Sequence, residues 1–148
     1  MKLYHGSKGN FEYLKRQQAQ SFVEVPQDEV LNVIYLTPDY GRALAMGCCP
    51  NGENNFVDEE HKITFENPHL FDPDESIYIY VVDSETIPKD KIKLGENGFD
   101  YVVDIDKIIP EQIIQTKARE VLKYHELVNW KEGGNEITKE VINPIKIK

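Results

Sequence analysis

Asn32-Val33-Ile34-Tyr35-Leu36-Thr37-Pro38-Asp39-Tyr40-Gly41-Arg42-Ala43-Leu44-Ala45-Met46-Gly47 is the stretch on which the fold turns. From Val33 to Leu36 every residue is β-branched, aromatic or aliphatic, which is a strand signature. Thr37-Pro38-Asp39 then reads as an N-cap, a proline at the first helical position and an acid facing the positive end of the helix dipole. The strand should therefore hand over directly to a short helix from Tyr40 to Met46, stopped by Gly47. Three other runs carry the same strand composition between turn residues: Lys2-Leu3-Tyr4-His5 before Gly6, Ser76-Ile77-Tyr78-Ile79-Tyr80-Val81-Val82 before Asp83, and Phe99-Asp100-Tyr101-Val102-Val103 before Asp104. Short strands broken by loops, with few helices, indicate an α+β fold rather than a doubly wound sheet.

The remaining segments are less sharply patterned. Between Glu111 and Lys131, Ile114, Ala118, Val121, Leu122 and Val128 fall near one stripe ahead of Gly133-Gly134, which predicts a helix, although the β-branched content also suits a strand. Phe11 to Ala19 reads as a turn or short helix, and Val141 to Ile147 alternates as an edge strand would. Residues 51–76 hold eight acids against a single base, Lys62, with Asn-Gly and Asn-Pro turn signals. That segment is expected to be a solvated, acidic loop or flap. No Asp-x-Asp-x-Asp-Gly pattern makes it a calcium loop, and no metal is expected.

With 148 residues and a net charge of −9, the chain is predicted to be one soluble cytoplasmic domain, residues 1–148. No uncharged apolar run approaches the roughly 18 residues of a membrane span, and Met1 to His5 has no apolar core of a secretory signal. The acidic balance argues against DNA or an anionic membrane as a partner. Cys48 and Cys49 are neighbours, so a disulfide between them would be strained and close almost no loop; two reduced thiols near a helix end are expected. Phosphate-loop, dinucleotide, nucleophile-elbow and zinc-helix motifs are all missing. His61, His69 and His125 stand in acidic or helical contexts that favour surface positions.

His5 is different. It ends a strand directly before Gly6, so its imidazole can meet a hydroxyl while the bare glycine backbone admits a flat ligand. Tyr35, at the end of a second strand, offers a ring for stacking on a planar heterocycle. Asp100, at the start of a third, can steady the positive charge that develops on a sugar when an anomeric bond breaks.

These stretches resemble the ADP-ribosyltransferase superfamily, which splits NAD at the nicotinamide–ribose bond. Leu3-Tyr4-His5-Gly6-Ser7 is similar to the family's opening strand, Val33 to Ala45 to its tyrosine strand and helix, and Phe99 to Ile108 to the strand that carries the catalytic acid. The order along the chain is the same. The resemblance implies a split β-sandwich of two small antiparallel sheets with a few flanking helices. It implies NAD as a substrate, with His5 holding a ribose hydroxyl, Gly6 clamping the carboxamide, Tyr35 stacking on nicotinamide, and Ser7 and Thr37 beside them. Asp100 stands where the family usually has glutamate, as in the rifampin-modifying branch. The family's second nicotinamide-covering aromatic falls near Met46 here, and Tyr40 is the candidate to replace it. The function implied is that of a bacterial or phage mono-ADP-ribosyltransferase with an unidentified protein or small-molecule acceptor. The alternatives are a catalytically impaired NAD-binding or protein-interaction module, and an RNA 2′-phosphotransferase-like enzyme whose phosphate would meet Arg16 or Arg42.

Overall fold

A computed structural model describes residues 1–18, 32–48, 55–57, 62–65, 71–95, 98–133 and 136–141. Among them are thirteen strands and one α-helix, so the fold is mixed, made mostly of small antiparallel sheets with few helices. The strands are β1 (Lys2–Ser7), β2 (Leu14–Lys15), β3 (Gln17–Gln18), β4 (Asn32–Leu36), β5 (Asn55–Val57), β6 (Lys62–Phe65) and β7 (Ser76–Asp83). They continue with β8 (Ile92–Leu94), β9 (Tyr101–Val103), β10 (Lys107–Ile108), β11 (Gln112–Lys117), β12 (Glu126–Gly133) and β13 (Glu136–Val141). Helix α1 spans Tyr40–Gly47.

The strands assemble as four sheets, in the orders β1-β7-β11, β10-β2, β13-β12-β6-β5 and β3-β4-β9-β8. In the last three of these the pairing is antiparallel, except that β12 runs parallel to β6. The chain divides into two compact units, one of Met1–His5, Asn10–Tyr40 and Tyr80–Ile114, the other of Gly6–Gly9, Gly41–Ile79 and Gln115–Lys148. Strands β1, β7 and β11 each contribute residues to both. No helix among the described residues is long and apolar enough to cross a membrane.

The first unit buries Leu3, Leu14, Ile34, Leu36, Tyr80, Val82, Val103 and Ile108. Ladder β4–β9 sets its register: Ile34 opposes Val103, Tyr35 opposes Val102 and Leu36 opposes Tyr101. The buried pair Ile34–Val103 faces the core while the half-buried pair Tyr35–Val102 faces the other way, as a two-residue alternation requires. A two-way backbone bridge from Tyr4 to Thr37, at 2.7 and 2.9 Å, joins β1 to the end of β4.

The second unit packs α1 through Ala43, Leu44 and Ala45 with Cys48, Phe71, Ile77, Ala118 and Val121. The approach of α1 to β1 is unusually close. A Cβ on Gly47 would lie 2.8 Å from Ile77 Cγ2 and 3.1 Å from the Ser7 nitrogen, and Gly6 meets the helix backbone still more tightly.

Several sequence expectations need correction. The helix predicted over Glu111–Lys131 is instead β11, a 3₁₀ turn over Ala118–Lys123 and β12. Of the stripe that suggested it, Ala118 and Val121 are buried in the 3₁₀ turn, with His125 buried two residues beyond it, while the flanking residues pair as strands. His125 is accordingly 4% exposed rather than a surface residue, with its N–H on the Val121 carbonyl at 2.9 Å. Phe11 to Gln18 contains β2 and β3 instead of a helix, and the acidic segment contributes β5 and β6 to a four-stranded sheet. Helix α1 starts at Tyr40, and the Thr37 hydroxyl accepts the Asp39 N–H at 3.3 Å before the helix begins. The strand near Val141 ends there, at β13, and residues 142–148 lie outside the described residues. Cys49, His61 and His69 lie outside them too.

Candidate functional site

Strand β1 delivers His5, and β4 delivers the carbonyl that holds it. The imidazole Nδ1–H donates to the main-chain oxygen of Tyr35 at 2.9 Å. A carbonyl can only accept, so this bond fixes the tautomer: Nδ1 carries the proton and Nε2 keeps its lone pair as an acceptor. Burial lowers the His5 pKa below the ordinary 6.5 by penalising the cation, and the bond to Tyr35 opposes that shift more weakly. The ring is therefore a neutral acceptor at neutral pH, suited to receive a hydroxyl proton.

Two aromatic residues complete the surroundings of His5. Tyr80 on β7 is fully buried, with its ring 6.2 Å from the imidazole. Its hydroxyl accepts the Phe11 N–H at 2.6 Å, and the two rings stack at 6.1 Å and 21°. Reading the sequence did not single out either residue. The signal present was the alternation of Tyr78 and Tyr80 in β7, which marks aromatic placement on one strand but not what it faces.

Tyr35 is half-buried, and its backbone pairs with Val102. Asp100 lies two residues before Val102, in the bend that leads into β9, rather than inside the strand. It is only 7% exposed, and its carbonyl accepts the Gly95 N–H at 2.7 Å. Asp100 immediately precedes Tyr101, which pairs with Leu36 in the end rung of the β4–β9 ladder, and Thr37, the residue after Leu36, is itself buried. The three motif strands are thus joined within the first unit: β1 to Thr37 by the backbone bridge, β1 to β4 again by the bond from the His5 side chain to Tyr35, and β4 to β9 by their ladder, with Asp100 one residue before it.

Tyr40 is not brought to His5. Its ring meets Tyr4 edge-on, with centroids 5.4 Å apart and planes at 83°. Side chains alternate along a strand, so Tyr4 and His5 leave β1 on opposite faces, as Val81 and Tyr80 leave β7. Tyr4, Tyr40, Val81 and Ile114 line a recess of about 620 Å³ on the Tyr4 side, rimmed by the ion pair of Lys2 with Glu111. In the second unit, the Cβ side of Gly6 is filled by the Ala43 carbonyl, and the Ser7 hydroxyl accepts the Gly9 N–H at 3.1 Å. Both are thus engaged in local packing within β1.

Farther along the first unit, Arg16 holds the turn after β9. Its Nε donates to Asp106 at 2.8 Å and its Nη1 to Asp104. That guanidinium keeps the Asp104 carboxyl below the usual carboxylate range. Among the described residues no three or more His, Cys, Asp or Glu side chains gather as a metal cage would need. Comparison of the chain with protein-family models, with curated proteins and with solved structures gives no match in any of the three.

Proposed function

We propose that this chain binds NAD and acts as a mono-ADP-ribosyltransferase on a split β-sandwich of the ADP-ribosyltransferase type. The observation that carries the reading is the 2.9 Å bond from His5 Nδ1 to the Tyr35 carbonyl, because it locks a neutral imidazole with a free acceptor nitrogen beside the second motif strand. In this reading His5 Nε2 accepts a ribose hydroxyl and the Tyr35 ring stacks on the pyridine. The glycosidic C–N bond breaks with its electron pair leaving on nicotinamide, and positive charge spreads over the ribose C1′ and ring oxygen. Asp100, held in a water-poor bend, stabilises that charge until the acceptor's nucleophile forms the new bond and gives up its proton.

One observation favours a second reading, in which NAD is held without turnover. Asp100 is 7% exposed and has a side chain one methylene shorter than glutamate, which limits its reach to a ribose. The RNA 2′-phosphotransferase reading is less well supported, since Arg16 is committed to Asp104 and Asp106.

Calorimetric titration with NAD, together with chromatographic assay of nicotinamide release, tests the proposal. Transferase chemistry requires binding and release in the wild type, with release abolished in Asp100→Asn and binding weakened in His5→Ala. Binding without release supports the second reading. No binding removes NAD altogether.

A further inference from the structure

Lys15 and Lys107 stand directly opposite each other in the β2–β10 ladder. Like charges at opposed positions repel and destabilise a pair of strands. The ladder cannot slip to relieve this, because its other rung is Leu14 against Ile108, buried to 3% and 5% exposure, and a shift of one residue would expose that apolar pair. Both ammonium groups are drawn over a single ring, Tyr13, with Lys107 Nζ 4.6 Å and Lys15 Nζ 5.5 Å from its centroid.

Among the described residues no acid neutralises this pair. Asp104 and Asp106, close to Lys107 in sequence, are both taken by Arg16, and Glu12, three residues before Lys15, pairs with neither lysine among the described residues. Among the described residues neither lysine makes an ion pair. The division of labour follows side-chain shape. The flat fork of Arg16 matches planar carboxylates, whereas two compact ammoniums, each with three donors, suit a tetrahedral group with several oxygens. A repulsive arrangement held in place by the fold, with its natural counterions diverted, marks a site kept for a ligand.

We propose that Lys15, Lys107 and the Tyr13 ring form a binding site for the phosphate group of a small phosphate monoester. Two ammoniums match the two negative charges of such a group. A polyanion would in addition face the acidic remainder of the molecule, so a diester backbone is disfavoured, whereas one phosphate senses mainly charges within a Debye length of about 8–10 Å. The proposal stands apart from the NAD reading and uses none of its residues.

The test is a calorimetric titration of the full chain with inorganic phosphate, with adenosine 5′-monophosphate and with a short diester oligonucleotide lacking terminal phosphates, all at one ionic strength. Inorganic phosphate should bind with a Kd of about 1 mM. A markedly tighter monophosphate would identify a nucleotide as the source of the group, and equal affinities would identify phosphate itself. Lys15→Met and Lys107→Met should each weaken binding about tenfold, whereas Lys89→Met, an exposed lysine away from the pair, should not. Methionine retains contact with Tyr13, so in phosphate-free, low-salt buffer Lys107→Met should melt about 2 °C above the wild type as the repulsion disappears. Circular dichroism at 20 °C establishes that each variant is folded. Phosphate binding unchanged in both lysine variants, an oligonucleotide binding as tightly as phosphate, or a Lys107→Met protein less stable than the wild type would each overturn the proposal.

Discussion

A Cβ on Gly6 would stand 1.9 Å from the carbonyl oxygen of Ala43, so β1 and α1 meet backbone to backbone. No rotamer change relieves such a clash, because the obstacle is main chain held inside a helix. Gly6→Ala is expected to cost about 3 kcal/mol, at the upper end of overpacking penalties. Urea denaturation measures it directly, and a loss below about 1 kcal/mol would mean that helix and strand lie farther apart.

The buried, neutral His5 makes stability depend on pH in one direction. Its pKa is lowered in the folded chain by burial, so the unfolded chain binds the proton more tightly. The contribution is complete above about pH 6.5 and is lost as pH falls toward the folded value. Stability should decline between about pH 7 and pH 5, before most carboxylates titrate. His5→Asn, whose amide can still donate to the Tyr35 carbonyl, should flatten that slope in urea titrations at the two pH values. An unchanged slope would assign the dependence to another group.

Tyr80 holds the turn carrying Phe11 through one hydroxyl, at 2.6 Å from the Phe11 nitrogen. Tyr80→Phe keeps the stacked rings and deletes only the acceptor, with an expected loss of about 1–2 kcal/mol. Faster hydrogen exchange at the Phe11 amide should accompany it. Exchange as slow as in the wild type would show that another acceptor serves that amide.

On the NAD reading the two tyrosines that the resemblance names should separate in mutation, because the Tyr40 ring is engaged with Tyr4, on the face of β1 opposite His5, whereas the Tyr35 carbonyl holds His5 itself. Tyr35→Ala should weaken NAD binding by about tenfold, equivalent to about 1.4 kcal/mol of stacking. Tyr40→Ala should change it by less than about twofold, while removing the edge-on partner of Tyr4. The reverse pattern in calorimetry would move the nucleotide to the recess beside Tyr4.

The parts of the fold legible in the sequence were those where local signals agree. In Asn32–Leu36 and Tyr40–Gly47 the local signals point the same way, and the strand and the helix are both present, although the helix begins two residues after Pro38 and takes in Gly47. In 111–131 they conflict. Ala118, Val121 and His125 recur at near-helical spacing, whereas Ile113, Ile114 and Thr116 prefer extended backbone, and tertiary pairing decided in favour of strands. Acidic composition hid β5 and β6, since charge reports solvent exposure and not hydrogen-bond pairing. At the candidate site, His5, Tyr35 and Asp100 read in the sequence as strand-end residues, but β1 runs on through Ser7 and Asp100 lies in the bend before β9. The sidedness that sends Tyr40 to Tyr4, and the bond between His5 and the Tyr35 carbonyl, depend on inter-strand registers that no single stretch encodes.

The sheet order β1-β7-β11 also has a consequence for biosynthesis. Strand β1 takes as its sheet neighbour one that emerges some seventy residues later, and that neighbour in turn awaits β11. Closing loops of this span is entropically slow. Leu3, buried in the finished fold, must therefore wait in the nascent chain without its sheet partner until β7 has been made.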